Sequence, residues 1–223
     1  MIEKSPARIA ICVINNHKYI PNYFFTSVLN LLIYTKKYFD NVDIFNVSAY
    51  DVAIMRNIAC DIALKSNHDF IFMCDVDMDY PSDSILRLYQ RIVNSPNQEC
   101  IVVGSARTRS PPHYPTQFRK FDYSPFGAEE NRVFPDINSN QLVKIEGTGL
   151  VGALIPATVL KRLNKPLFQN IYKEDGGYEG EDINFARKCK ENNIEIYLDP
   201  QVLYGHELVK MIDANGERLI DPQ

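Results

Sequence analysis

Short apolar runs recur along this chain, separated by stretches in which apolar residues return every three or four positions. Residues 8–15 (RIAICVIN) are rich in Ile and Val and read as a first strand. Asn15-Asn16-His17 ends it. A helix is predicted from about residue 21 to 34, with Pro21 tolerated in its first turn. Residues 42–47 (VDIFNV) alternate apolar and polar and predict a second strand, and 48–51 supply helix-capping side chains. A helix follows over 53–65. Its Ile54, Ile58 and Ile62 recur at i+4 and predict the buried stripe, with Arg56 and Asn57 off it. Residues 70–74 form a continuous apolar run, the pattern of a strand buried on both faces. Ser82 or Asp83 caps a helix that runs to about residue 93, and 101–105 (IVVGS) is a fourth strand. The order β-α-β-α-β-α-β is that of a layered α/β sheet.

The pattern then changes. Residues 107–136 are polar, aromatic and proline-rich, and carry Arg107, Arg109, Arg119, Lys120 and Arg132. This stretch is too long for an ordinary connector, and its tyrosines and phenylalanines argue against disorder. Arginine forks suit phosphate oxygens, so it reads as a flap over a phosphate-bearing ligand. Glu146-Gly147-Thr148-Gly149 forms a glycine corner before an apolar strand over 150–155. It lacks the dinucleotide-binding spacing and precedes a strand, which excludes a Rossmann cofactor site. Residues 157–163 predict a short helix and 173–182 (KEDGGYEGED) an acidic, flexible loop. A helix over 182–192 has Ile183, Phe185, Ala186 and Cys189 as its apolar positions. Glu181 and Asp182 stand at its N-terminus, where the helix dipole favours carboxylates. Residues 194–198 (IEIYL) are a last strand, ended by Asp199-Pro200. Tyr204-Gly205-His206 follows, and 210–223 read as a loosely docked extension.

With 223 residues the chain suits one α/β domain, or one plus a small extension, and 45% hydrophobic content supports a substantial core. A net charge of −4 excludes a global pull to nucleic acid or anionic membrane. Five dispersed cysteines (Cys12, Cys60, Cys74, Cys100, Cys189) include no Cys-x-x-Cys pair, which excludes a disulfide framework and a cysteine zinc site. The opening MIEKSPAR has no signal-peptide pattern, and no uncharged run is long enough to span a bilayer. The expectation is a soluble protein of a reducing compartment, the cytoplasm.

The chemistry concentrates in residues 70–81, FIFMCDVDMDYP. Asp75, Asp77 and Asp79 fall at every second position. Side chains of an extended chain alternate faces, so Asp75 and Asp77 are expected on one side, with Asp79 joining them if the strand lasts. Carboxylates so placed repel one another unless a cation sits between them or one is protonated. A divalent ion with oxygen ligands answers this. In open α/β sheets ligands bind beyond the carboxyl ends of the strands, where these residues fall.

Five features stand in order: a helix with Arg56-Asn57, a buried strand running into Asp75-Val76-Asp77 and then Tyr80-Pro81, the Gly147-Thr148-Gly149 corner, Gly180-Glu181-Asp182, and a late Gly205-His206. Over about residues 8–206 the chain thereby resembles the nucleotide-sugar glycosyltransferases of the GT-A fold, most like the compact family 2 type of bacteria and phages. The resemblance implies a Rossmann-like layered α/β fold with a central mixed, mostly parallel sheet flanked by helices. It implies one domain over 1–209, with a nucleotide-binding half to about 105 and an acceptor-binding half from 106, and 210–223 as a tail. It places Asp75 near the donor ribose and metal, and makes Asp77 a ligand of Mn²⁺ or Mg²⁺ on the donor diphosphate. His206 matches a late metal-binding histidine. Arg56, with Asn57 and Asn15, lies near the nucleotide. Asp182 and Glu181 form the acidic pair near the acceptor, one of them the general base in inverting members. Gly147, Thr148, Gly149, Arg107 and Arg109 fall to the acceptor side or flap. Asp79 has no fixed role.

The implied chemistry suits these residue types. Carboxylates bind Mg²⁺ or Mn²⁺, and an added imidazole tilts the site towards Mn²⁺. The ion stabilises charge on the nucleoside-diphosphate leaving group, and a carboxylate on the opposite face takes the acceptor's proton. The acceptor stays open: a glycan, a lipid-linked sugar, a protein, or DNA with hydroxymethylated bases of the kind some phage enzymes glycosylate. The frequent Asn, Ile, Lys and Tyr fit the AT-rich genome of a phage or virus. Two other classes use similar parts. Haloacid dehalogenase-like phosphatases carry Asp-x-Asp after an early strand, but Asp79 stands where they have Thr or Val. A binding module without turnover is opposed by the intact Asp75, Asp77, Asp182 and His206.

Overall fold

Apolar runs that read as buried strands take their places in one sheet. A computed structural model describes residues 4–15, 20–109, 112–120, 131–174, 176–207, 209–213 and 216–220. The elements run β1 (Ser5–Ile14), α1 (Asn22–Thr35), β2 (Phe39–Val47), α2 (Val52–Lys65), β3 (Phe70–Asp75), β4 (Met78–Asp79), α3 (Ser84–Val93) and β5 (Ile101–Ser105). Then come β6 (Gln117–Phe118), β7 (Val143–Ile145), β8 (Gly147–Thr148), β9 (Ala153–Pro156), α4 (Ala157–Arg162), β10 (Ile171–Tyr172) and β11 (Tyr178–Glu179). The chain continues with α5 (Glu181–Glu191), β12 (Ile196–Leu203), β13 (Gly205–His206), β14 (Val209–Asp213) and β15 (Gly216–Ile220).

Seven strands form the central sheet in the order β2-β1-β3-β9-β5-β12-β7. β1 runs parallel to β2 and β3, and β5 parallel to β12. β9 lies antiparallel between β3 and β5, and β7 antiparallel on the outer side of β12. The sheet is therefore mixed and mostly parallel, as expected. Strand alternation divides the core between its faces. Ala10, Cys12, Ile14, Ile71 and Met73 join the cluster under α2, α4 and α5. Ile9, Ile11, Val13, Phe72 and Cys74 join the one under α1 and α3. All five cysteines are buried free thiols. Among the described residues no helix is long and apolar enough to cross a membrane.

Three local expectations are corrected. The buried side of α2 is not the isoleucine stripe: Ala53, Met55, Arg56, Ala59, Cys60 and Ala63 face inward, and Ile58 is 40% exposed. Small residues at 53, 59 and 63 let the helix lie close to the sheet, and carboxylates described below draw Arg56 inside. β12 does not stop at Asp199-Pro200 but runs to Leu203. Buried Asp199 is met by Arg91 Nε at 2.7 Å, and Pro200 falls where the ladder to β5 is interrupted between Leu198 and Leu203. The acidic segment around 173–182 is framed by the β10–β11 hairpin, with Ile171 opposite Glu179 and Tyr172 opposite Tyr178. The segment read as a tail contains the antiparallel pair β14–β15.

Candidate functional site

β3 ends at Asp75, which pairs with Ile14 of β1, so Asp75 and the following Asn15 share the carboxyl-end rim of the sheet. The chain turns at Val76-Asp77 and re-forms as β4, which pairs antiparallel with β13: Gly205 lies opposite Asp79 and His206 opposite Met78. A Cβ on Gly205 would come within 3.2 Å of the Asp79 Cβ, so the missing side chain lets this ribbon close. Asp79 is exposed, outside the carboxylate group. The turn, not a continued strand, carries Asp77 to the site.

The ribbon brings together residues 129 apart in sequence. His206 Nε2 lies 3.2 Å from Asp77 Oδ2, and its Nδ1 lies 2.7 Å from the Arg107 carbonyl oxygen. Arg109 Nη1 is 3.5 Å from the same Asp77 oxygen. Burial opposes charge on both partners, but their contact wins: the Asp77 carboxyl is held below its usual range and the His206 imidazole above. Arg107 takes part through its backbone carbonyl, while its Nη1 donates to the His113 carbonyl.

Beside this pair stands a second ionic group. Arg56, 3% exposed, reaches from α2 to Asp75 Oδ2 at 3.1 Å and to Glu181 Oε1 at 3.3 Å. Burial alone would lower its pKa; Asp75, Glu181 and Asp182 together raise it. Burial pushes Asp75 up to about 6, against Arg56 and with help from Asp77 and Glu181. Burial and the neighbouring Glu181 push Asp182 up to about 6 as well. Asp182 Oδ1 accepts the Ile183 N–H at 2.7 Å. A Cβ on Gly149 would lie 3.8 Å from Asp182 Oδ2, so the glycine corner and the acidic pair face each other. Asp75 Oδ1 and Arg56 Nη1 are buried without a hydrogen-bond partner among the described residues, and such groups normally have one.

Asn57 does not join the group. Its amide donates to the Ala53 and Phe168 carbonyls and accepts from Leu167 and Phe168 N–H, which pins the loop after α4. Thr148 is wholly buried in β8. Residues 110–111 and 121–130 of the expected flap lie outside the described residues. Among the described residues no three His, Cys, Asp or Glu side chains stand in position to hold a metal ion. Asp77 and His206 meet, whereas Asp75 turns to Arg56.

Supporting residues, Tyr80 apart, carry no sequence signal of their own. Tyr80 Oη accepts the Asp75 N–H at 2.8 Å, and the Tyr80 ring packs edge-on against Tyr204 at 5.0 Å. Tyr204 lies across Gly104 and Gly152, where any Cβ would meet its ring at 2.4 and 2.2 Å, and its hydroxyl donates to the Gly152 carbonyl. Glu179 accepts from Asn184 and Arg187 of α5, which fixes the acidic helix start. A Tyr-Pro after the aspartates was the available hint for Tyr80.

No family model matches the chain, and no curated protein does. Among solved structures, A197 from STIV is similar with a TM-score of 0.60 at 15% identity, over 97% of this chain and 95% of that one. GalNAc-T7, solved with UDP, GalNAc and Mn²⁺, is similar with a TM-score of 0.59 at 10% identity, over 89% of this chain and 43% of that one. At such identities the likeness concerns the fold, which is the GT-A type of layered α/β domain.

Proposed function

We propose that the chain is a nucleotide-sugar-dependent glycosyltransferase that works with a divalent cation and transfers with inversion to an acceptor hydroxyl. The observation that carries this is the meeting of Asp77 and His206 beside the Arg56–Asp75–Glu181–Asp182 group, beyond the carboxyl ends of the sheet strands. The donor set fits a cation: a carboxylate and an imidazole suit Mn²⁺, and buried Asp75 Oδ1 wants a partner. Asp77 and His206 would hold it, with Asp75 alongside. His206 fits the role because Nδ1–H donates to the Arg107 carbonyl and leaves Nε2 for the metal once deprotonated. A bound cation supplies neutralisation of charge on the departing diphosphate.

The chain's own groups do the rest. Arg56 balances the carboxylates and holds Glu181, which leaves Asp182 as the base. With a pKa near 6, Asp182 is ionised at neutral pH yet basic enough to accept a proton. It takes the acceptor's hydroxyl proton as that oxygen bonds to the anomeric carbon and the bond to the diphosphate oxygen breaks. The GalNAc-T7 likeness makes UDP-sugars the first donors to try.

A thermal-shift panel of UDP-, GDP-, CMP- and dTDP-sugars, with and without Mn²⁺, tests this. One nucleotide should raise the melting temperature only with Mn²⁺ present. If none does, or if the protein hydrolyses aryl phosphates without nucleotide, the proposal fails. Donor hydrolysis lost in Asp77→Ala separates an enzyme from a binding module.

A further inference from the structure

The β10–β11 hairpin presents two tyrosines side by side on the surface. Tyr172 is 80% exposed and Tyr178 53%, with ring centroids 5.2 Å apart. Exposed aromatic pairs of this kind, held rigidly, are characteristic of binding surfaces. Here the rigidity is built in. Tyr178 Oη donates to Asn170 Oδ1 at 3.0 Å, and Asn170 Nδ2 donates to Asp51 Oδ2 at 3.0 Å. Asp51 in turn caps α2 through the Ile54 N–H. Behind the rings, Glu179 is buried and tied to Arg187 at 2.8 Å.

The hairpin also sits at the right place. It leads directly into α5, whose first turn holds Glu181 and Asp182. A Cβ on Gly180 would lie 3.9 Å from Tyr178 Cε1 and 2.9 Å from Asp182 Oδ1, so ring and carboxylate flank one point. The surroundings remain acidic among the described residues: Asp51, Glu174, Glu179, Glu181 and Asp182 stand against Lys173, Arg56 on Glu181 and Arg187 on Glu179. Burial first, and then the negative charge of Glu181, Asp182 and Asp51, raises the Tyr178 hydroxyl pKa.

We infer that Tyr172 and Tyr178 form the acceptor platform, and that the acceptor is an uncharged sugar chain. A pyranose presents a flat C–H face that packs on tyrosine rings, while its hydroxyls donate to carboxylates at the rim. A nucleic acid acceptor would bring phosphates against this net acidic rim, and binding of that kind is carried by cations. The inference rests on the proposed transfer reaction and assigns its second substrate.

The full chain, fluorescently labelled, is applied to an array of neutral oligosaccharides and to duplex DNA containing hydroxymethylcytosine. Neutral glycans should bind. Tyr172→Ala and Tyr178→Ala should each weaken the strongest signal about tenfold, whereas Tyr172→Phe, which keeps the ring, should stay close to the parent. The melting temperature of each variant checks that it is folded. Absence of neutral-glycan binding, equal binding by the alanine variants, or preferred binding of the DNA with steep salt dependence would each overturn the inference. The nucleotide panel on the unmodified protein reports separately: a Mn²⁺-dependent donor shift without glycan binding sinks this inference alone, and loss of the donor shift sinks the reaction.

Discussion

Replacing Arg56 by methionine tests the electrostatics of the site without any substrate. The change keeps an unbranched side chain inside α2 but removes the cation 3.1 Å from Asp75 and 3.3 Å from Glu181. Breaking a buried ion pair by removing one partner costs about 3–5 kcal/mol, because the remaining charge is left uncompensated. At this chain length that is roughly 10 °C in melting temperature. The loss should depend on pH with a definite sign. Asp75 and Asp182 already sit at about 6 in the folded protein, above the ordinary carboxylate value. A carboxyl whose folded pKa is raised binds protons more readily when folded, so it adds stability as pH falls through that value. Without Arg56 both carboxyls rise further, since it is a lowering influence on each. The deficit of Arg56→Met against the parent should be largest at pH 8 and should shrink towards pH 5. Urea unfolding at pH 8, 7, 6 and 5, followed by circular dichroism in EDTA so that no metal replaces the guanidinium, measures it. A variant as stable as the parent at pH 8, or a deficit unchanged at pH 5, would refute the assignment of Arg56 as the counterion.

Three further outcomes are expected. Asp77→Ala and His206→Ala should each weaken Mn²⁺ binding by at least about 100-fold, read by calorimetric titration in the presence of the donor nucleotide. The transfer rate should rise with pH through about 6 as the Asp182 carboxyl, raised by burial and Glu181, loses its proton. Asp182→Asn should remove that limb of the pH–rate profile and cost about 10²–10⁴ in rate. On α2, Ile58→Lys should change stability by no more than about 0.5 kcal/mol. Ala59→Leu should cost about 1–3 kcal/mol by overpacking against the sheet, both measured by thermal melts.

The strands were legible because parallel strands covered on both faces are written as unbroken apolar runs, and residues 9–14 and 70–74 are such runs. Where β9 would go was not. Its apolar residues announce a strand, but its seat between β3 and β5 depends on partners about 50 to 80 residues away. The buried face of α2 is hidden in the sequence because i+4 isoleucines outweigh small residues in any periodic pattern, while the sheet it packs on favours alanine. Asp199-Pro200 looked like a stop because nothing local reveals Arg91 on α3. Asp77 and His206 were legible as residue types in a family order. The route by which they meet, a turn followed by two residues of ribbon, was not, and strand alternation gave a different reason for where Asp77 points. The tyrosine pair was hidden inside a segment whose charge suggested a loop. Tyr80 and Tyr204 act through packing and one hydroxyl each, which no spacing encodes.

The placement of β9 bears on engineering. A strand from the later part of the chain is wedged between two from the earlier part. Cutting near residue 105 and grafting a foreign second half would therefore leave a gap one strand wide in the middle of the sheet. Under the proposed function, donor and acceptor preference should be altered by point changes along the rim, since cassette exchange would dismantle the sheet that carries it.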